Sequence, residues 1–439
     1  MACYASSFTI FTEGFAGTVE WAVAFIVMTS LSSVAEIDGP RLLERLRALG
    51  RVGKDASGAL TRLALSDADK AGRDLLVSWL REAGLTVTID AIGNIFGSWG
   101  DFNDQPPVMI GSHIDTVINA GIYDGCYGVL VALSVIETLQ QRGTQPSRPV
   151  MLAAFTNEEG VRYQPDMMGS LVYAGGYSLE LALSAVGTDG SILRDELARI
   201  GYAGEIAPGG VRPACYLELH IEQGPVLEAE HYTIGAVDSL QGISWQRLNI
   251  TGAANHAGTT PIAMRRDAGL AAARVITFLR NEATSSGGTT VATVGTVRFE
   301  PNAINIIPSR AVCTVDLRDP DEQRLQAAER RLSRFLAQLA ADENVEIEVE
   351  RLVRFEPVTF DQDLVRRIES AAKARGYPYR RTTSGAGHDA QMMAGICPAA
   401  MIFVPSREGI SHNPLEHTDE ADLMAGANVL LDVVTGLLA

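Results

Sequence analysis

The sequence predicts an α/β protein: a mostly parallel sheet covered by helices on both faces, with an α+β ferredoxin-like unit inserted into it. Three observations carry that prediction. Between residues 107 and 221, apolar runs of strand length are separated by helical patterns, as in parallel strands joined by crossover helices. Near residue 238 the chain changes to alternating strands around two long helical patterns, in the order strand–helix–strand–strand–helix–strand. Past residue 352 the first pattern resumes, so the second unit interrupts the first. The expected division is one domain from 36–238 and 353–439, an inserted domain at 239–352, and an N-terminal extension, 1–35, outside the fold.

The elements follow in order. Residues 15–35, FAGTVEWAVAFIVMTSLSSVA, are nearly apolar but carry Glu20, and no Lys or Arg precedes Arg41. The positive start of a signal peptide is therefore missing. An upstream extension, with translation starting at Met28, is preferred over a short membrane helix. Asp38 and then Pro40 open the helical pattern PRLLERLRALG, which Gly50 closes. Ser66 and Asp69 resemble a capping box ahead of KAGRDLLVSWLREAG. LTVTIDAIGNIFGSWG alternates and then breaks at Gly and Asn, as a strand and hairpin would. PPVMIGSH, RPVMLAAF and ACYLELH read as strands, with YGVLVALSVIETLQQRG a helix after the first. In the inserted unit SWQRLNITGAA, TTVATVGTVRFEP and SRAVCTVDLRD are strands, and DAGLAAARVITFLRNEA and EQRLQAAERRLSRFLAQLAA are helices. VEIEVERLVRF closes it, and PAAMIFVP returns to the first sheet.

Composition limits the function. A chain of 439 residues, 46% hydrophobic and 20% charged, is an ordinary soluble protein of about two domains. A net charge of −17 argues against the basic face that nucleic acid requires, and suits a site that gathers cations. The 5 cysteines are scattered, with no CxxC pair. That argues against a disulfide framework or a thiolate zinc site, and it favours a reducing cytoplasm.

The chain has only 7 histidines, and their placement is informative. His113 ends PPVMIGSH. Asp124 stands at the mouth of the following helix. Glu158 and Glu159 follow RPVMLAAF, His220 and Glu222 end ACYLELH, and His412 follows PAAMIFVP. Each alone reads as a solvated loop residue or a cap. Together they bring imidazole and carboxylate to one edge of one sheet, the edge where open α/β sheets bind ligands. Such a gathering repels itself unless a cation joins it. Mixed nitrogen and oxygen donors suit zinc, manganese, cobalt or nickel, and the lack of thiolates favours a catalytic site. The donors exceed what one ion takes, so two ions bridged by one carboxylate are expected. One of Glu158 and Glu159 then binds metal, and the other is a general base. Asp115 is placed to orient the His113 imidazole, and the glycines of GSHIDTVINAGIYDG let the backbone turn tightly.

The ordered motifs GSHIDTV, AGIYDG, TNEEGVRY, HIEQGPVLE, GAANHAGTTP, PNAINIIPSR, SGAGHDA and GISHNP resemble one amidase family. It contains N-carbamoyl-L-amino-acid hydrolases, β-ureidopropionases and allantoate amidohydrolases, within the di-metal aminoacylase and carboxypeptidase superfamily. The resemblance runs from about residue 38 to the C-terminus. It implies a di-zinc exopeptidase-like catalytic domain with a lid and dimerisation domain, the latter matching about 239–352. It implies that His113, Asp124 and His220 bind one metal with Asp124 bridging, that Glu159 and His412 bind the other, and that Glu158 is the general base. It marks Gln223, His256, Asn305, Arg318, Gly387 and His388 as substrate residues. His256 and Asn305 in relatives reach the partner subunit's site. His256 and Asn305 suit an oxyanion, and Arg318 suits a substrate carboxylate. His417 matches no ligand position, and His231 is given no role.

The expected activity is hydrolysis of a linear, non-peptide C–N bond, best an N-carbamoyl-L-amino acid, by a cytoplasmic homodimer. Its small-molecule substrate carries a ureido group and a carboxylate. Allantoate amidohydrolase and β-ureidopropionase are the alternatives. A metallo-aminopeptidase or dipeptidase ranks below them, and a non-catalytic binding protein or membrane-anchored hydrolase ranks lower still.

Overall fold

The computed structural model describes residues 35–102, 105–287 and 290–439; the expectations for residues 1–34 lie outside the described residues. Among the described residues, fourteen strands form two sheets. They are β1 (Thr86–Ile89), β2 (Ile95–Trp99), β3 (Val108–His113), β4 (Val150–Phe155), β5 (Cys215–Ile221), β6 (Ile234–Leu240), β7 (Gly242–Thr251), β8 (Val291–Thr293), β9 (Val297–Glu300), β10 (Arg310–Asp319), β11 (Glu346–Phe355), β12 (Val358–Thr359), β13 (Tyr379–Ser384) and β14 (Ala399–Val404).

The larger sheet runs β1-β2-β4-β3-β5-β14-β6-β12, with β13 also on β6. Its centre is parallel, as expected: β4, β3, β5 and β14 point the same way. Every residue of these four strands is buried, because helices cover both faces. The flanks are mixed. β1 and β2 are antiparallel because a tight turn joins them, and β2 continues antiparallel onto β4. The Asp90 carboxylate ties that turn by accepting from the amides of Ile92 and Asn94 and from Asn94 Nδ2. The helix Cys126–Gln141 packs on β3 and β5 and is buried from Cys126 to Leu139. The helix Glu420–Leu438 is long and apolar enough to cross a membrane, but it packs against β14 and Cys126–Gln141, with 61% of its most apolar stretch buried.

The second sheet is antiparallel, ordered β11-β7-β10-β8 with β9 also on β10. The helices Ala268–Ser285 and Glu322–Asp342 cover one face, closing a core around Leu248, Ile250, Ala311, Cys313, Val315 and Leu317. This is the expected ferredoxin-like order. One expected strand, TTVATVGTVRFEP, is broken into β8 and β9. At the break the Thr296 amide bonds the Thr314 hydroxyl, and Gly295 offers no side chain to pack.

Helix capping ties the fold to the strand ends. Asp38 accepts from the Arg41 amide at the start of the helix Gly39–Leu49. Ser66 caps the helix Asp67–Glu82 by accepting from the Asp69 amide. Asp69 reaches back to the amide of Leu65 instead of Ser66, so the expected reciprocal bond is displaced by one residue. The same carboxylate pairs with Arg73 at 2.7 Å, both side chains buried. Arg73 then donates to Gly93 O and to the Thr156 hydroxyl, just past β4. Breaking a buried pair strands a charge, which costs about 3–5 kcal/mol. Asp69→Ala is therefore expected to lower unfolding stability by about that much. A urea midpoint unchanged from the parent protein would show that the pair does not hold this region.

Candidate metal centre and active site

Parallel strands put their carboxyl ends on one edge, and the donors collect there. His113 is the last residue of β3, and His220 is the last but one of β5. Glu158 and Glu159 follow β4, and His412 lies in the loop after β14. Asp124 precedes the helix Cys126–Gln141 and sits at the centre of the group. Its Oδ1 is 3.5 Å from His113 Nε2 and 3.2 Å from His220 Nε2. Its Oδ2 is 3.4 Å from His412 Nε2. His113 Nε2 is also 3.4 Å from Glu158 Oε2, and His412 Nε2 is 3.5 Å from Glu159 Oε2. Three compact donor groups result: His113–Asp124–His220, His113–Glu158–Glu159 and Asp124–Glu159–His412. A fourth, Glu218–His220–His388, lies behind them.

The two buried rings are oriented by the backbone. His113 Nδ1 lies 3.0 Å from Asp115 O, and His220 Nδ1 lies 2.8 Å from Ile221 O. A carbonyl only accepts, so each Nδ1 carries a hydrogen, and in the neutral ring Nε2 is the nitrogen left to present a lone pair to the centre. Asp115 acts differently from the sequence expectation. Its backbone oxygen, not its carboxylate, holds the imidazole. The carboxylate accepts from the amides of Glu158 and Glu159, at 3.2 and 3.3 Å, and so fixes the acidic pair.

The electrostatics call for positive charge. Burial lowers the pKa of His113, yet the carboxylates of Glu158, Asp124 and Asp115 outweigh it and hold the ring well above its usual value. His220 is raised in the same way, chiefly by Asp124 against burial. His412 is pushed up to about 9, first by its bond to Asp124. Burial would raise Asp124, but the imidazoles around it hold it well below the carboxylate range. Burial lifts Glu158 well above that range and Glu159 to about 8. Glu159 Oε1 is buried without a partner. Nε2 lone pairs, carboxylates and an unpaired buried oxygen, converging on one centre, fit divalent cations.

Several positioning residues were not legible beforehand. Glu416 is buried and accepts from the amides of Tyr123 and Asp124 and from the Ser411 hydroxyl, holding the Asp124 loop. Ser411 and Gln223 donate to Asp124 Oδ2 at 2.9 and 2.7 Å. Gly125 has φ +64°, and a Cβ there would lie 2.4 Å from the His113 ring. Gln223 and His412 also carry positive φ, 56° and 54°, a conformation that persists where surroundings enforce it. Glu222, at the end of the HIE run, is not a donor here; it caps a turn through the Leu227 amide.

A cavity of about 290 Å³ opens in front of the donors. Arg318 stands in its wall, with Nε and Nη2 on the Asp316 carboxylate, Nη1 donating to Gly385 O at 2.6 Å, and the guanidinium over the Trp245 ring. His388 and Gly387 line it too. His388 bonds Ser384 Oγ through Nε2 and lies edge-on to His220; burial first, then His220, lowers its pKa well below the usual value, so the ring is neutral. A Cβ at Gly387 would lie 2.9 Å from Met167 Cε. His256 and Asn305 are brought to each other, not to this cavity. The Asn305 carbonyl accepts from the Ala257 amide, and both side chains are exposed. His417 pairs with Asp419 outside the donor groups.

The profile of peptidase family M20/M25/M40 matches residues 109–436. An N-carbamoyl-L-amino-acid amidohydrolase of Rhizobium meliloti is 38% identical over 91% of this chain and 96% of its own. An N-carbamoyl-L-amino acid amidohydrolase of Geobacillus stearothermophilus is 39% identical over 91% of this chain and 98% of its own. A crystal structure of a hydantoinase/carbamoylase-family amidase from Burkholderia multivorans superimposes with a TM-score of 0.86 at 43% identity, over 92% of this chain and 98% of that one. With its metal-donor groups on the parallel edge and these relatives along nearly all its described length, the chain belongs to the metal-dependent peptidase family M20/M25/M40, among the hydantoinase/carbamoylase-type amidases.

Proposed function

We propose that this protein hydrolyses N-carbamoyl-L-amino acids to the L-amino acid, CO₂ and ammonia. One observation carries the reading: a cavity with metal donors on one wall and the Arg318 guanidinium on another. That is the arrangement needed to hold a carboxylate while a ureido carbonyl faces the donors. The two relatives named for this activity, 38% and 39% identical, support the same reading.

His113, Asp124 and His220 would hold one divalent cation, and Glu159 and His412 a second, with Asp124 shared. Zinc, manganese, cobalt and nickel all suit such donors. Bound there, the ions would supply Lewis acidity and make water acidic enough to attack at neutral pH. Glu158 takes the proton of the attacking water on its carboxylate and returns it to the leaving nitrogen; its burial keeps it basic enough to do so. Asp115 keeps the two glutamates in register through their amides. Asp316 and Gly385 occupy part of the Arg318 fork, leaving one N–H on each terminal nitrogen for a substrate carboxylate. Gln223, Gly387 and His388 shape the approach. In a homodimer, a second copy would supply His256 and Asn305 toward the developing oxyanion. Residues 239–352 would act as the lid that excludes bulk water. The four free, buried cysteines among the described residues suit the cytoplasm.

The test is ammonia release by metal-loaded protein from N-carbamoyl-L-amino acids, N-carbamoyl-β-alanine and allantoate. Release from the first, abolished by chelator and restored by metal, is expected. Silence on all three with metal bound would refute the reading. Glu158→Gln should cut kcat by about 10²–10⁴-fold while leaving bound metal, read by elemental analysis, near the parent level. Near-normal turnover would remove Glu158 from the proton-transfer role. Arg318→Ala should lose roughly 10–100-fold in kcat/KM, mostly as a higher KM, since a charge-assisted bond pair is worth about 1.5–3 kcal/mol. An unchanged KM would mean that the carboxylate binds elsewhere.

A further inference from the structure

The cavity wall holds a second charged group that the reaction leaves unused. Asp166 lines the same cavity as Glu158, Trp245 and Arg318. Its Oδ1 is buried and has no partner. It belongs to none of the metal-donor groups. It makes no ion pair with Arg318, whose fork is tied to Asp316 and Gly385. A buried carboxylate oxygen without a partner costs stability, and it would repel an anionic substrate unless the ligand offered it a hydrogen. Burial pushes the Asp166 carboxyl up to about 6, partly offset by its own backbone amide and then by Arg318, so at neutral pH the group is mainly an ionised acceptor.

We infer that Asp166 sets substrate specificity by receiving a hydrogen-bond-donating nitrogen, carried by the substrate beyond its scissile ureido group and its carboxylate. Three groups then divide the ligand. The metal donors face the scissile ureido, Arg318 takes the carboxylate, and Asp166 takes the donor. Two substrate forms share this chemistry: an N-carbamoyl amino acid with an amine-bearing side chain, and a bis-ureido acid whose second ureido group is the donor. This inference rests on the proposed amidohydrolase activity and narrows its substrate.

The experiment compares kcat and KM of the metal-loaded full chain for N-carbamoyl-L-ornithine, N-carbamoyl-L-norleucine and allantoate. Ornithine and norleucine side chains differ only by an ammonium in place of a methyl. The unmodified protein should favour ornithine or allantoate over norleucine by about tenfold or more in kcat/KM. Which of the two leads identifies the donor. Asp166→Asn keeps the shape and removes the charge, and Asp166→Ala removes the acceptor. Both should erase most of that preference through KM, with the norleucine compound changed by less than about threefold. A merely structural role would depress all three compounds alike, and that result would overturn the inference. So would a preference for norleucine in the unmodified protein, or a donor preference that survives both substitutions. If no compound releases ammonia, the amidohydrolase reading itself fails, and this inference falls with it.

Discussion

Everything at this site depends on Asp124. One carboxylate lies within 3.5 Å of three imidazoles from three different strand ends. Two further acids stand beside it, also buried. Burial alone would neutralise such a group, because uncompensated charge is costly away from water. The protein instead spends effort on keeping it ionised. Gln223 and Ser411 donate to one oxygen, Glu416 holds the backbone on which it sits, and Gly125 clears the space beside it. These contacts have little value as a core. Their sense is a standing demand for positive charge at a point fixed by the sheet.

The sheet can fix that point because its centre is parallel. β4, β3, β5 and β14 deliver their carboxyl ends to one side, so donors far apart in sequence arrive without any local coordination between them. Buried arginines then fasten the ends. Arg73 ties the Thr156 end of β4 to the turn at Gly93. Arg62, fully buried, donates to Ile114 O beside His113 and to Leu49 O and Val52 O. Arg62 thus holds the backbone beside His113, and Arg73 holds the Thr156 side chain two residues before Glu158. This is how a chain turns a fold-level edge into a site whose groups cannot drift apart.

That logic explains which parts were legible in the sequence. The donors were, because histidines and acids at, or in the loops after, the carboxyl ends of apolar runs are carried to one edge by the strands. The inserted unit was, because its strands alternate and its helices do not. The break between β8 and β9 was not, since it turns on the Thr296 amide choosing a hydroxyl over a backbone partner. Glu416 and Asp166 were not legible either. Both lie in loops, where an acid has no periodic signal, and only the folded chain shows that each is turned inward. The role of Asp115 was half legible: its spacing from His113 was informative, but which of its oxygens would reach the ring was not.

Arg318 shows how one side chain can line the cavity and tie the two sheets to each other. It belongs to β10 of the smaller sheet, yet it donates to Gly385 O, in the loop after β13 of the larger one. That loop also carries Gly387 and His388 into the cavity. A carboxylate arriving at the remaining N–H groups would therefore be bound by the small sheet's arginine while the large sheet's loop still grips it. The bond to Gly385 O already joins the two sheets across the cavity. The fork itself is held by Asp316 and rests over Trp245, so it is preorganised before any ligand comes. A lysine at this place would keep the charge but lose the fork, and with it the simultaneous hold on Asp316 and Gly385 O.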